Sequence, residues 1–450
     1  MCGIAGIVAK LRVNPSAVQA MTDRMEHRGP DGEGMWIGED GRVVLGHRRL
    51  AVIDPTEAGR QPMSDSSETA VLTYNGEIYN YIEIMNQLRE TGVAFRSDCD
   101  TEALLQAYLT WGKECLTELN GMFSFALFDV RAGHLFCARD RFGEKPFLYC
   151  ETPEFFAFAS EFKALFALRG VEPEIDETKL LRFLHQPWQG LDDERETVFP
   201  GIKQLLPGEM LILDVASLKV SVSRYWDLKP DISLSRQSEA DVATQFRELL
   251  TDSIRLRMRS DVPLGSCLSG GLDSSAIVCL ARQIADANAP YHVFTGRFPD
   301  TAADEWAYAD EVVTATGSTS HVTEPTAQGL VEDLEDFCWF NELPTGSTSQ
   351  YAQWCVFRLA AENGVTVLLD GQGADELLGG YLADIDSNVM DNLFASMKYL
   401  SSFKYFFKIE LIQKIIIKLL KLKKNREFEF NYDPFYTRVN HLVCPNKFLN

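Results

Sequence analysis

The chain opens Met1-Cys2-Gly3-Ile4-Ala5-Gly6-Ile7, and its chemistry starts at the second residue. Removal of the initiator methionine, usual before a small residue, leaves Cys2 with a thiol and a free α-amine about one hydrogen bond apart. Such an amine titrates near about 7.7–8.0, so at neutral pH part of it can take the thiol proton, as in a Thr nucleophile served by its own N-terminal amine. On position alone, Cys2 also suits a buried small apolar residue. A second reactive set lies far along the chain, in Leu268-Ser269-Gly270-Gly271-Leu272-Asp273-Ser274-Ser275. There the pattern passes from strand to helix. Two glycines let the backbone approach a ligand, the helix start offers unpaired N–H groups, and three hydroxyls can bond phosphate oxygens. This is a phosphate cradle without the lysine of a Walker loop and without the spacing of a dinucleotide turn.

A further loop, Asp370-Gly371-Gln372-Gly373-Ala374-Asp375-Glu376, follows the apolar run Val365–Leu369 and is expected at the same carboxyl edge of a sheet, where open α/β folds bind ligands. Asp273 and Asp375 could hold a Mg²⁺ between them, bridged through substrate phosphates. Asp375 also fits a plain helix cap. Asp375 and Glu376 point apart on a helix start, which speaks against a glycosidase-type acid pair. In the first half, Arg49, Asn75-Gly76-Glu77 and Asp100 supply what an α-amino acid needs. A guanidinium suits its carboxylate and a carboxylate suits its ammonium. The Asn75 side chain and the Gly76 N–H suit the oxyanion formed when a side-chain amide is attacked.

The elements that carry these residues change character near the middle. Up to about Lys229 the chain shows strand-length apolar runs, Thr69–Tyr74, Met122–Val130, His134–Ala138 and Phe155–Ala159, with one helix candidate at Thr101–Trp111. Runs apolar on both faces imply sheets covered on both sides. A polar stretch, 230–238, reads as a linker. Beyond it, Val242, Phe246, Leu249, Leu250 and Ile254 fall at helical spacing. Strands at Pro263–Leu268, Tyr291–Thr295 and Val365–Leu369 then alternate with helices at Ser274–Ile284 and Glu305–Ala315, as in a parallel α/β sheet.

A net charge of −22 over 450 residues argues against general nucleic-acid binding, because phosphate attraction needs a basic surface. Ten cysteines without a C-x-x-C pair or a signal peptide suit reduced thiols in the cytoplasm. No run of uncharged apolar residues reaches membrane-spanning length.

Taken together, these residues resemble the glutamine-dependent asparagine synthetases. The resemblance rests on Cys2-Gly3-Ile4, His27-Arg28-Gly29-Pro30-Asp31-Gly32, Tyr74-Asn75-Gly76-Glu77-Ile78-Tyr79-Asn80, Arg139-Asp140-Arg141-Phe142-Gly143 with Lys145-Pro146, Ser160-Glu161-Phe162-Lys163-Ala164-Leu165 and the Ser269–Ser275 loop. It runs nearly unbroken to Tyr381. It implies an N-terminal-nucleophile αββα glutaminase domain over 2–229, a linker over 230–238, and a parallel-sheet ATP-pyrophosphatase-type α/β domain over 239–400. Glutamine would lose ammonia at Cys2, and the ammonia would pass internally to an acyl-adenylate made from ATP and, by default, aspartate. The products would be asparagine, AMP, pyrophosphate and glutamate. By resemblance Arg49, Asn75, Glu77 and Asp100 form the glutamine-binding set, with Asn75 and Gly76 as oxyanion hole. Ser269, Gly270, Gly271, Asp273 and Ser274 hold pyrophosphate, Asp375 partners magnesium, and Cys267, Leu268 and Gly371 lie about the adenine. A homodimer is a further expectation.

Two departures stand out. Family members commonly carry Ser-Gly-Glu-Gly where this chain has Asp370-Gly371-Gln372-Gly373, so a carboxylate has become an amide that neither holds charge nor acts as a base. The family's segments beyond the Gly379-Gly380-Tyr381 point, with an Arg-Val-Pro-Phe-Leu-Asp-like stretch and a reactive-site lysine, find no match. Residues 401–450 instead form a basic, apolar tail in which Lys414, Lys418 and Lys421 share one helical face, suited to an anionic membrane surface or to a core helix with snorkelling lysines. Two alternatives follow: the same chemistry on another acceptor, such as a sugar acid of a surface polysaccharide, or a glutaminase or binding subunit with an incomplete synthetase half. A papain-type protease fits poorly, since its cysteine begins a helix, whereas Cys2 precedes a strand pattern.

Overall fold

The computed structural model describes residues 1–378 except 188, 189, 230, 287 and 288. A compact unit spans Met1–Gln372, and Gly373–Leu378 belongs to a second unit. The basic tail, Cys444 and the Gly379–Tyr381 motif lie outside the described residues.

The first part of the larger unit contains β1 (Gly3–Ala9), β2 (Gly32–Ile37), β3 (Val43–Arg49), β4 (Met63–Ser64), β5 (Ala70–Ile78), β6 (Gly121–Asp129), β7 (His134–Arg139), β8 (Leu148–Glu151), β9 (Phe155–Ala159), β10 (Ile202–Gln204), β11 (Glu209–Asp214) and β12 (Lys219–Arg224). Its helices are α1 (Pro15–Asp23), α2 (Tyr81–Glu90), α3 (Asp100–Trp111), α4 (Cys115–Glu118), α5 (Phe162–Leu165) and α6 (Glu177–His185). The strands form two six-stranded sheets, ordered β10-β8-β9-β1-β3-β2 and β12-β11-β7-β6-β5-β4. Both are antiparallel throughout.

Alternation along the strands builds the layers. Ile4, Val8 and Leu45 of the first sheet meet Val71, Ala126 and Leu135 of the second in an inter-sheet core. Their neighbours face outward, Ala5, Ile7 and Val44 packing on α1 and α5, and Leu72, Tyr74 and Phe125 packing on α2 and α3. The result is helix, sheet, sheet, helix, as expected for the αββα class. Inner strands such as β1, β5 and β6 are apolar on both sides because both their faces are buried. The expected strand runs and the Thr101–Trp111 helix are present within a few residues of their ends. The single helix candidate was too few: α1, with Asn14 capping and Pro15 at its first turn, and α2 are also formed.

In the second part, α7 (Glu239–Arg257) is capped by Ser238, whose hydroxyl accepts from the Asp241 N–H. It is followed by β13 (Leu264–Cys267), α8 (Leu272–Ile284), β14 (His292–Gly296), α9 (Trp306–Thr316), β15 (Thr319–Thr323), α10 (Ala327–Glu332), α11 (Leu334–Asn341), α12 (Ser349–Glu362) and β16 (Val367–Leu369). The strands pair in parallel in the order β15-β14-β13-β16. On β14, Val293 faces α8 and α9 while Phe294 faces α12. Helices therefore cover both faces, and the loops after β13 and β16 open at one carboxyl edge. Among the described residues no helix is long and apolar enough to cross a membrane.

Candidate active site

Strand pairing fixes the surroundings of Cys2. Gly3 lies opposite Arg48, so the residue before Gly3 falls beside the end of β3. The Leu50 N–H donates to Cys2 Sγ at 3.4 Å, and the thiol donates to the Leu50 carbonyl at 3.6 Å. Arg28 Nε donates to the Cys2 carbonyl at 2.9 Å. Burial pushes the Cys2 thiol up and the adjacent amine pulls it back. The amine beside the thiol belongs to Met1 in this structure, and burial lowers it to about 5.

Asn75 and Gly76 sit on β5 opposite Ser124 and Phe123 of β6. The Asn75 side chain is fully buried, and neither its Nδ2 nor its Oδ1 has a hydrogen-bond partner. A buried amide left unpaired costs about 1–3 kcal/mol, so these atoms are free to bond a group from outside the chain, a water or a substrate. Gly76 permits the close pairing of β5 with β6, because a Cβ there would lie 2.1 Å from the Met122 carbonyl oxygen.

Asp100 begins α3, where a helix N-terminus favours a carboxylate. Its Oδ2 accepts from the Tyr74 hydroxyl at 2.9 Å and the Ile78 N–H at 3.0 Å. Burial raises its pKa, and these neutral donors oppose the rise. Glu77, two residues along β5 from Asn75, is raised to about 7, by burial first and by Asp100 second. Arg49 is held by the carbonyls of Asp54 and Thr56. Gly59 makes room for it, since a Cβ at that position would lie 2.0 Å from Arg49 Nη2.

These residues line one cavity of about 880 Å³ with Cys2, and Gln353 and Phe357 of α12 and Asp370 and Gln372 after β16 line it as well. Lys145 lines it too, buried, with Nζ 3.1 Å from Met1 Sδ. Sequence reasoning assigned roles to neither Lys145, Arg28 nor Leu50. Two of these belong to motifs already noted, and Leu50 acts through its backbone, which no side-chain pattern reveals.

In the loop after β13, Ser269 and Ser274 join their hydroxyls at 3.0 Å across the turn, and Gly271 N–H donates to Ser269 Oγ at 3.2 Å. Gly270 has φ +98°, and a Cβ on it would lie 2.6 Å from the Glu305 carbonyl. Gly371 packs against the first turn of α8, with space for a Cβ only 3.2 Å from the Ser274 nitrogen and 3.4 Å from Asp273 Cβ. The two loops expected to share an edge therefore meet. Cys267 and Leu268 end and follow β13, and burial, then Asp370, raise the Cys267 thiol well above its ordinary range. Asp370 accepts from Gln353 Nε2 at 2.9 Å. Asp375 is in the first turn of α13 (Ala374–Leu378), in the second unit. Among the described residues no three His, Cys, Asp or Glu converge on a metal position. A Mg²⁺ here would take most of its ligands from phosphate oxygens, a donor set to which Asp273 at the phosphate loop is suited.

A glutamine amidotransferase domain profile matches residues 1–226, and an asparagine synthase profile matches 245–441. The chain is 33% identical over 427 residues to "Putative asparagine synthetase [glutamine-hydrolyzing] 2" of Methanocaldococcus jannaschii, covering 89% of this chain and 79% of that protein. The chain belongs to the glutamine-hydrolysing asparagine synthetase family. It is also 34% identical over 411 residues to "Asparagine synthetase [glutamine-hydrolyzing] 3" of Bacillus subtilis (strain 168), covering 86% of this chain, and 33% identical over 388 residues to synthetase 1 of that organism, covering 85%. It spans 65% and 59% of the length of those two family members.

Proposed function

We propose that the protein is a glutamine-dependent amidotransferase that makes asparagine from aspartate. The observation that carries this is the unpaired, fully buried Asn75 amide in a cavity lined by Cys2 and also by Asp370 and Gln372. With Met1 removed, the Cys2 amine takes the thiol proton and the sulfur attacks glutamine's side-chain carbonyl carbon. Asn75 Nδ2 and the Gly76 N–H stabilise the oxyanion. Collapse breaks the C–N bond, the proton leaves with ammonia, and water then hydrolyses the γ-glutamyl thioester to glutamate. Arg49 pairs with the substrate's α-carboxylate, and Glu77 and Asp100 with its ammonium.

Ammonia travels along the cavity toward the β16 loop. There ATP adenylates the acceptor carboxylate, releasing pyrophosphate into the Ser269, Gly270, Gly271, Asp273 and Ser274 cradle, and ammonia displaces AMP. Cys267, Leu268 and Gly371 flank the nucleotide. Asp273, with the phosphates, would hold Mg²⁺, which supplies positive charge to offset that of the leaving pyrophosphate. The protein acts in the cytoplasm, in keeping with its free cysteines, and as a homodimer. Incubation with ATP, aspartate and amide-¹⁵N-glutamine should give labelled asparagine with AMP and pyrophosphate in equal amounts. Absence of aspartate-dependent AMP formation would overturn the acceptor assignment.

Gln372, lining the cavity in place of the usual Glu, favours one further reading in which the same chemistry serves a different carboxylate, such as a sugar acid. Pyrophosphate release stimulated by such an acid and not by aspartate would establish it.

A further inference from the structure

A buried ionic chain leads from the Cys2 backbone to the part of the unit that carries the nucleotide loops. Arg28, whose Nε holds the Cys2 carbonyl at 2.9 Å, places Nη1 2.9 Å from Glu161 Oε1. His27 Nε2 reaches the same oxygen at 3.0 Å. Lys163 Nζ lies 2.8 Å from Glu161 Oε2 and 3.2 Å from Glu342 Oε1. Glu342 in turn accepts from the N–H groups of Phe162 at 3.0 Å and Lys163 at 2.7 Å. The Lys163 ammonium also donates to the Trp339 carbonyl at 3.0 Å and lies over the Trp339 ring.

The side chains of Glu161, Lys163 and Glu342 are 6%, 7% and 13% exposed, so loss of one partner strands the others as uncompensated buried charges. Glu342 caps α11 at φ +61°, a left-handed conformation that a non-glycine residue keeps only where its surroundings hold it. It also starts the loop into α12, whose Gln353 binds Asp370 beside Gly371.

We propose that Glu342 is a positioning residue for glutamine hydrolysis, holding Cys2 in place through Lys163, Glu161 and Arg28. This rests on the glutaminase role proposed above for Cys2. Glu342 touches neither substrate nor the reacting atoms. It fixes the carboxylate that fixes the guanidinium that fixes the nucleophile's own carbonyl. A displacement of about 1 Å at a nucleophile costs on the order of 100-fold in rate.

The test compares Glu342→Gln, Lys163→Met and the double variant in the full chain. Each single variant should lower the glutaminase kcat on the order of 10–100-fold with the glutamine KM unchanged. The double variant should lose no more than the worse single one, because the pair acts as a unit. Iodoacetamide labelling of Cys2, read on its N-terminal peptide, should quicken several-fold in the variants as the sulfur loosens from Leu50, while labelling of exposed Cys338 stays constant. Additive losses, a raised KM with unchanged kcat, or an unchanged Cys2 labelling rate would overturn the proposal. A wild-type protein that hydrolyses no glutamine would overturn the glutaminase reading instead, and the Cys2 labelling rates would still decide the positioning role.

Discussion

Asp100 makes Glu77 hard to ionise: both carboxylates line the cavity that holds Cys2, and Asp100's charge adds to burial in bringing Glu77 to about 7. In the proposed role, Glu77 pairs with glutamine's ammonium in its ionised form. As pH falls below about 7, Glu77 gains a proton and the glutamine KM should rise, with Glu77→Gln losing that limb of the kcat/KM profile. Stability runs the opposite way. The native state keeps a proton that the unfolded chain, titrating near 4.5, has released, so Glu77 costs stability as pH climbs from 4.5 toward 7, by ~3 kcal/mol at most. Glu77→Gln should therefore raise the melting temperature at pH 8 and leave it little changed at pH 4, as calorimetry would read. A KM flat from about pH 6 to 8 would count against Glu77 as the ammonium partner.

Asn75→Ala separates catalysis from folding. Neither amide atom of Asn75 has a partner in the folded chain, so its removal should cost little stability, apart from a small cavity. The glutaminase kcat should fall by about 10²–10³, the usual effect of losing one oxyanion donor. Steady-state kinetics and a melting curve together would show this. Equal losses in both would mean that Asn75 is structural.

Gly76→Ala should be the harsher neighbour. Its Cβ would meet the Met122 carbonyl at 2.1 Å, forcing β5 from β6 within the second sheet. Overpacking of this kind costs about 1–3 kcal/mol or more, which should lower the melting temperature by several degrees. A variant that melts like the parent would contradict the close backbone approach.

Gly270→Ala addresses the loop after β13. With φ +98° and the Glu305 carbonyl 2.6 Å from a new Cβ, the phosphate loop must shift. ATP affinity, measured by calorimetric titration, should fall at least tenfold while glutaminase activity with saturating glutamine is retained. Unaltered ATP binding would remove this loop from the nucleotide site.

Local pattern carried much of this architecture. Strand-length runs such as Phe155–Ala159 and the Ser269–Ser274 turn announce themselves because their signals lie within a few residues. The helix α1 was also readable in principle from Asn14-Pro15, yet its polar Ser16, Gln19 and Thr22 dilute the apolar stripe. The site yielded its side chains by type and its grouping by resemblance. What stayed hidden depends on long-range contacts: Arg28 meets Glu161 across 133 residues, and Phe162 meets Glu342 across 180. No spacing rule joins residues so far apart. The backbone groups of Leu50, which bracket the Cys2 sulfur, are equally silent in a list of side chains.

The most direct measurement compares wild type with Cys2→Ala, following glutamate from glutamine and, in parallel, AMP formation with ammonium chloride as nitrogen source. The variant should make no glutamate above background and keep ammonia-dependent AMP formation near the wild-type rate. Glutamine hydrolysis by Cys2→Ala at the wild-type rate would contradict the role of Cys2.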